Sequence, residues 1–397
     1  MVSIASSLVA DFFMQIPSLV AAPIPVYPSQ ALPAQTILPL RPLASTQLPL
    51  AVLLDEQLWQ SPGGDRAALL QGIDHSLRYL QTPQAIAAYQ QYPVPGINRE
   101  RVQRSLERFR ELVVASRSAQ ELAIAVRQEF VLYQSVGKDG RGTVAFTGYF
   151  EPVYRASRTP TSEFRYPLYR RPPNLETWRK PHPTRAQLEG VDGLQAHRGP
   201  LRGLELVWLS DRLEAFLVHV QGSARLQLID GSIMTVGYAG RTDRPYTGIG
   251  RELVKDGKLR LEDLTLRTLV AHFQQYPGDM NRYLPRNQSF IFFRETHGAD
   301  PTGSLSVPVT AERSIATDKS LMPPGALALI YTRLPAAHPT AHQAEQSAVS
   351  RYVLDQDTGS AIRGAGRVDV FMGTGELAGE RAGNINTTGN LYYLLLK

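Results

Sequence analysis

The sequence predicts a mainly β protein, with helices at its N-terminal end and a small barrel built from its C-terminal end. Three observations carry this. Between residues 67 and 130 apolar side chains recur at helical spacing. At Thr143 the pattern changes abruptly to β-branched and aromatic runs. From Leu204 onward, short strand-like segments are punctuated by glycine and proline, and at the C-terminal end this suits a barrel better than a doubly wound sheet.

In chain order, Leu70, Ile73, Leu77 and Leu80 share one face of a predicted helix over 67–80, and Pro83 marks its end. Asn98 is the predicted N-cap of a second helix, with Val102, Leu106, Phe109 and Val113 inward. Ser118 opens a third, with Leu122, Val126 and Phe130 inward. Residues 143–154 form a predicted strand that runs into a turn at Pro152. Strands follow over 204–209 and 214–222. A hairpin then joins 224–229 to 232–238 through Asp230-Gly231, a type I′ turn signal. Residues 264–276 return to amphipathic helix. Further strands are expected over 287–295, 305–308, 326–331, 352–354, 367–372 and 391–395.

These elements divide the chain into a leader and proline-rich linker (1–50), a barrel domain with helices (51–153 with 262–397) and an inserted β domain (154–261). The first fifty residues hold eight prolines, no glycine, and only Asp11 and Arg41 as charges. Residues 3–22 are apolar but interrupted by Asp11 and Pro17, and no basic segment precedes them. They read as a poor signal-like or anchor-like segment, and membrane association is expected through this N-terminal segment.

Composition excludes several kinds of chemistry. With no cysteine among 397 residues, disulfides, thiolate metal sites, cysteine nucleophiles and a thioether lipid anchor are ruled out. The eight histidines are scattered without ligand spacing, so no metal site is expected. Neither a GxGxxG nor a Walker-type loop is present, and no nucleotide or other cofactor is expected. The net charge of +6 favours an anionic partner, but no Lys/Arg run is dense enough to predict nucleic-acid binding.

The candidate chemistry lies near the C-terminus. Asp369 alternates with Val368 and Val370 on a predicted strand, and glycines stand on both sides of it. A carboxylate so placed suits general acid–base work on a bulky substrate. It equally suits a surface strand aspartate paired with Arg367 on the same face. Four stretches extend the picture: Phe146-Thr147-Gly148-Tyr149-Phe150-Glu151-Pro152, Val220-Gln221-Gly222-Ser223, Gly237-Tyr238-Ala239-Gly240, and residues 318–325 with the closing segment that carries Asp357 and Asp369. In this order the chain resembles the membrane-bound lytic murein transglycosylase A family, over residues 143–393. The last part, about residues 305–395, resembles that family's three-aspartate (3D) domain, with Asp318, Asp357 and Asp369 as the three.

The resemblance implies a double-psi β-barrel with a second β domain inserted and a deep groove between them. It implies cleavage of the peptidoglycan glycan between N-acetylmuramic acid and N-acetylglucosamine, by an exported monomer, periplasmic or associated with the outer membrane. The catalytic acid/base maps onto Asp369, and Thr147 maps onto the substrate groove. Gly148, Tyr149, Gln221, Gly222, Tyr238, Gly240 and Asp357 complete the implied substrate-binding set, with Asp318 supporting. Tyrosine rings and the glutamine amide suit sugar stacking and hydrogen bonding, although barrel packing explains each of them as well. Asp357 could also cap the turn at Thr358-Gly359. Two other functions use the same residues: a hydrolase pairing Asp369 with Asp357 or Glu151, and a glycan-binding module without turnover.

Overall fold

The computed structural model describes residues 38–60, 64–335 and 346–397. The predicted leader therefore lies outside the described residues as far as Ile37. The described chain starts with β1 (Leu40–Leu43), α1 (Arg66–Leu80), α2 (Pro83–Gln90), α3 (Arg99–Ala115), α4 (Ala119–Glu129), β2 (Phe130–Ser135) and β3 (Val144–Glu151). A middle section holds β4 (Val153–Ser157), β5 (Tyr166–Tyr169), α5 (Arg185–Glu189), β6 (Glu205–Leu209) and α6 (Arg212–Gln221). It continues with β7 (Ser223–Leu228), β8 (Ile233–Arg241), α7 (Ile249–Lys255), α8 (Leu266–Gln275), α9 (Asp279–Tyr283) and β9 (Ile291–Glu295). The last section is β10 (Ser314–Ala316), β11 (Leu327–Pro335), β12 (Gln346–Asp357), β13 (Arg367–Thr374), α10 (Glu376–Gly383) and β14 (Asn386–Leu396).

Six strands close on themselves in the order β14, β11, β12, β10, β13, β3 and back to β14, with β2 and then β1 added outside β14. Two pairs in the ring, β10 with β12 and β13 with β3, are parallel, and the other pairs are antiparallel. Closure leaves the ring strands no open edge, and their inward side chains form the core. Val144, Phe146, Ile315, Ile330, Val353, Val368, Val370 and Tyr393 are all buried there. The second sheet, ordered β5, β6, β4, β7, β8, β9, has its own core around Leu168, Val207, Leu226, Val236 and Phe293. Its last strand, β9, lies beyond the boundary at residue 261 expected for the inserted block, because β8 pairs with β9.

The N-terminal helices follow the spacing read from the sequence. Asn98 accepts from Arg101 N at 2.8 Å and Ser118 from Glu121 N at 3.2 Å, the two expected N-caps. Val102, Leu106, Phe109 and Val113 are buried together against the barrel.

Other expectations are corrected. Pro83 begins a helix instead of ending one: Thr82 caps α2 by accepting from Ala85 N, and proline at the first helical position gives up no intrahelical bond. Residues 40–43, expected within the linker, form β1 against β2, with Pro42 tolerated because the strand is an edge. Residues 214–222, expected as a strand, belong to α6. The run Leu213–Val220 is apolar except for Glu214 and His219, which is too few polar positions for periodicity to decide. The helix is set by Asp211, which accepts from Glu214 N, and ends at Gly222 in the left-handed region with φ 84°. Residues 305–308 make only an isolated bridge, Thr302 to Pro308, with Ser306 at φ 60°. The β7–β8 hairpin forms as expected, but of its turn pair only Gly231 has positive φ (83°). Gly231 N donates to Leu228 O, so Ile229 and Asp230 take the centre of the turn and the glycine follows it as a bulge.

Candidate active site

Parallel pairing of β13 with β3 sets Asp369 beside Thr147 and Phe371 beside Tyr149. Residues two apart on a strand share a face, so these four side chains form two adjacent rows. In the first row the Thr147 hydroxyl donates to Asp369 Oδ1, and Arg367 donates to Asp369 at 3.2 Å and to the Thr147 hydroxyl at 2.7 Å. Asp369 therefore keeps the Arg367 contact expected for a surface strand. It also gains a hydroxyl partner 222 positions away, with only 18% of its side chain exposed. The Tyr246 phenol lies near enough to sense its charge, and burial raises that phenol above the usual tyrosine range.

The second row opens into a cavity of about 520 Å³ between the barrel and the second sheet. Tyr149 and Phe371 line it from the barrel, with ring centroids 5.2 Å apart. The Tyr149 hydroxyl donates to Asp357 Oδ2 at 2.9 Å. Ser304 N and Thr358 N donate to Asp357 Oδ1, each at 2.8 Å, so Asp357 ties the end of β12 to the 303–304 loop. Burial pushes the Asp357 carboxyl above the ordinary range, against the pull of these three donors. Glu151, also in the wall, is sealed at 1% exposure. It accepts from Thr374 Oγ1 at 2.8 Å and lies 3.6 Å from Arg225, while burial raises it too.

From the opposite side come Gln221, Gly222, Tyr238 and Arg241. Gln221 Oε1 accepts from Phe150 N at 3.1 Å, tying the end of α6 to β3. Tyr238 is exposed in the cavity wall.

The remaining candidates stand apart from the cavity. Gly148 backs onto α10: a Cβ there would lie 2.7 Å from Ala382 Cα and 2.9 Å from its carbonyl oxygen. Its small size serves helix packing, and Gly148→Ala is expected to lower stability by about 1–3 kcal/mol through forced displacement of backbone. A urea midpoint equal to that of the wild type would contradict this. Gly240 faces the Arg171 side chain, where a Cβ would meet Cδ at 2.8 Å. Asp318 accepts from Ser320 Oγ at 2.6 Å, Ser320 N at 3.1 Å and Gly364 N at 2.8 Å, pinning the loop before β13. Burial opposes its charge, but these donors together hold it below the usual carboxylate range.

Sequence reasoning missed three arginines that line the cavity: Arg241, Arg294 and Arg363. Nothing local marks them, since they come from β8, β9 and the loop before β13. The described residues contain no cluster of three or more His, Cys, Asp or Glu able to hold a metal.

The sequence matches the MltA specific insert domain over residues 145–294 and the 3D domain over residues 313–395. Membrane-bound lytic murein transglycosylase A of Escherichia coli K12 is 32% identical over 266 residues, covering 66% of this chain and 68% of its own. The chain belongs to the membrane-bound lytic murein transglycosylase A family. The Buchnera aphidicola homologue is 31% identical over 271 residues. Among solved structures, the membrane-bound lytic murein transglycosylase of Agrobacterium tumefaciens superposes with a TM-score of 0.69 at 26% identity, covering 90% of this chain and 97% of that one. The family's E. coli enzyme with bound chitohexaose gives 0.64 at 25% identity, covering 84% and 90%. The expected mainly β fold, a closed barrel with N-terminal helices, is the fold of this family.

Proposed function

We propose that this chain is a peptidoglycan lytic transglycosylase that cleaves the β-1,4 bond between N-acetylmuramic acid and N-acetylglucosamine with one carboxylate, Asp369. The observation that carries the reading is the β13–β3 pairing, which holds Asp369 on Thr147 beside a cavity wide enough for sugar rings. Asp369 protonates the glycosidic oxygen as the bond to C1 breaks. As carboxylate it then accepts the proton of the muramoyl C6 hydroxyl, whose oxygen attacks C1 and closes a 1,6-anhydro ring. Thr147 and Arg367 orient the carboxylate. Tyr149, Gln221, Gly222 and Tyr238 act on the glycan from the cavity wall, with Asp357 setting the Tyr149 hydroxyl. The barrel, with its helices, and the second sheet serve as the two domains of the enzyme.

A hydrolase needs a second working carboxylate. Glu151 and Asp357 are each held by several partners, which favours the single-carboxylate route. The substrate places the enzyme in the cell envelope. The sequence has no cysteine, and among the described residues no helix is long and apolar enough to cross a membrane. Digesting purified cell wall and weighing the products tests the reading. Muropeptides with 1,6-anhydro ends, 18 Da lighter than their hydrated counterparts, are expected (about one water, from the ring closure argued above). Reducing ends alone would favour hydrolysis, and no turnover a binding role.

A further inference from the structure

We propose that Arg241, Arg294 and Arg363 form a carboxylate-reading subsite in the cavity, selecting glycan whose muramoyl side chain is anionic. The inference rests on the transglycosylase reading and deepens it. The three arginines line the cavity from separate parts of the chain: β8, β9 and the loop before β13. Arg241 crosses from the second sheet to the barrel side, where its Nη1 donates to Ser360 Oγ at 2.8 Å. Arg294 and Arg363 are exposed. Among the described residues none of the three is ion-paired, whereas neighbouring Arg225, Arg171 and Arg367 each have a carboxylate partner.

The acids of the same wall do not cancel this charge. Glu151 is engaged by Thr374 and Arg225, and Asp357 by Tyr149, Ser304 and Thr358. Asp300 is exposed in the same wall, and its charge acts on Glu151. Arg363 acts on the charge of Asp318, which is itself held by Ser320 and Gly364 and lies outside the cavity lining. The cavity lining therefore carries three arginines that form no ion pair among the described residues, with the exposed ring of Tyr238 in the same wall.

Guanidinium groups bind carboxylates through paired, charge-assisted hydrogen bonds. An uncharged chito-oligosaccharide offers them only hydroxyl and acetamido oxygens. A muramoyl residue carries a lactyl group on O3. In a peptide-free strand this ends in a carboxylate, and in a peptide-bearing strand it leads into a stem peptide with carboxylates of its own. Either source supplies the same ligand chemistry.

The test compares full-length wild type with Arg294→Gln, Arg363→Gln, the double variant and Arg294→Lys, each checked for an unchanged melting temperature. Kinetics are measured on peptide-bearing strands and on peptide-free strands, and chitohexaose binding is measured by calorimetry. The double variant is expected to raise KM on anionic strands by about tenfold to a hundredfold, with kcat falling far less. Arg294→Lys, which keeps the charge but not the paired hydrogen bonds, should fall between the wild type and Arg294→Gln, and chitohexaose binding should stay within about twofold, since no charge–charge contact is lost from that complex. Added salt should weaken the wild type more than the double variant. A KM effect on peptide-free strands assigns the lactyl carboxylate, and one confined to peptide-bearing strands assigns the stem. An unchanged KM on both strand types, or an equal loss of chitohexaose binding, would overturn the subsite while leaving the transglycosylase reading intact. Absence of turnover by the wild type would instead remove that reading.

Discussion

Asp369→Asn is expected to keep the fold and to abolish measurable release of 1,6-anhydromuropeptides. Val368 and Val370 on either side are fully buried, so the strand is set by the barrel core and not by the aspartate. Asparagine nearly preserves volume, and its side-chain oxygen can still accept from the Thr147 hydroxyl and from Arg367. It cannot donate an acidic proton or take one back. General acid–base catalysis contributes about 10²–10⁴-fold, and here one group serves both proton steps, so the loss should reach at least the upper part of that range. Asp357→Asn is the control. It lines the cavity next to the row that holds Asp369, but it accepts from a phenol and two backbone amides. Its effect should be smaller and should fall partly on KM through the Tyr149 ring. Circular dichroism and melting temperature must first show both variants folded. A folded Asp369→Asn protein that releases anhydro products near the wild-type rate would move the chemistry to another carboxylate.

The largest expected effect on stability is at Asp55. Asp55 and Arg313 are both completely buried and paired at 2.5 Å. Arg313 also binds Asp65 at 2.5 Å and donates to the Tyr352 carbonyl at 2.8 Å, while Tyr352 N donates to Asp55 at 2.9 Å. Arg351 adds a weaker contact to Asp55 at 3.4 Å. This network docks the segment ahead of α1 onto β12 and onto the residue just before β10. Removing one member of a buried ion pair strands its partner in a low-dielectric interior, at a cost of about 3–5 kcal/mol. Asp55→Ala should lose that much, because Arg313 keeps Asp65 as its one carboxylate partner besides the Tyr352 carbonyl, and the Tyr352 amide loses its acceptor. Asp55→Asn should lose less, since the side-chain oxygen can still accept from that amide. β10 pairs with β13 at Ala316 and Asp369, but the network faces the helices, so activity per folded molecule should change little. The urea midpoint together with specific activity corrected for folded fraction reads both quantities. A stability loss below about 1 kcal/mol would mean that the interior relaxes around the unpaired arginine.

Much of this protein could be read without its structure wherever local signals agree. Asn98 and Ser118 cap their helices because a short polar acceptor stands just before an apolar periodicity. Asp369 faces away from Val368 and Val370 because a strand alternates. The absence of cysteine settled which covalent chemistry was unavailable. Local signals failed where they were balanced. The apolar run in α6 fits strand and helix alike, and a proline after an apparent helix end also suits the first turn of the next.

What the sequence by itself determined was the list of elements with strong periodicity, the candidate acid and the set of motif residues around it. Tertiary structure alone decided which of those residues meet. Parallel pairing of β3 with β13 joins segments more than two hundred positions apart, and hydrogen bonding along a strand carries no mark in sequence of its eventual partner. The same pairing separates the candidates. Tyr149 and Phe371 face the cavity, Thr147 and Asp369 form the adjoining row, and Gly148 points the other way, against α10. Charge follows the same rule. Whether an arginine is neutralised depends on the carboxylates within about 4 Å, and only the closed barrel with the second sheet beside it leaves Arg294 and Arg363 facing the cavity without an acidic partner among the described residues.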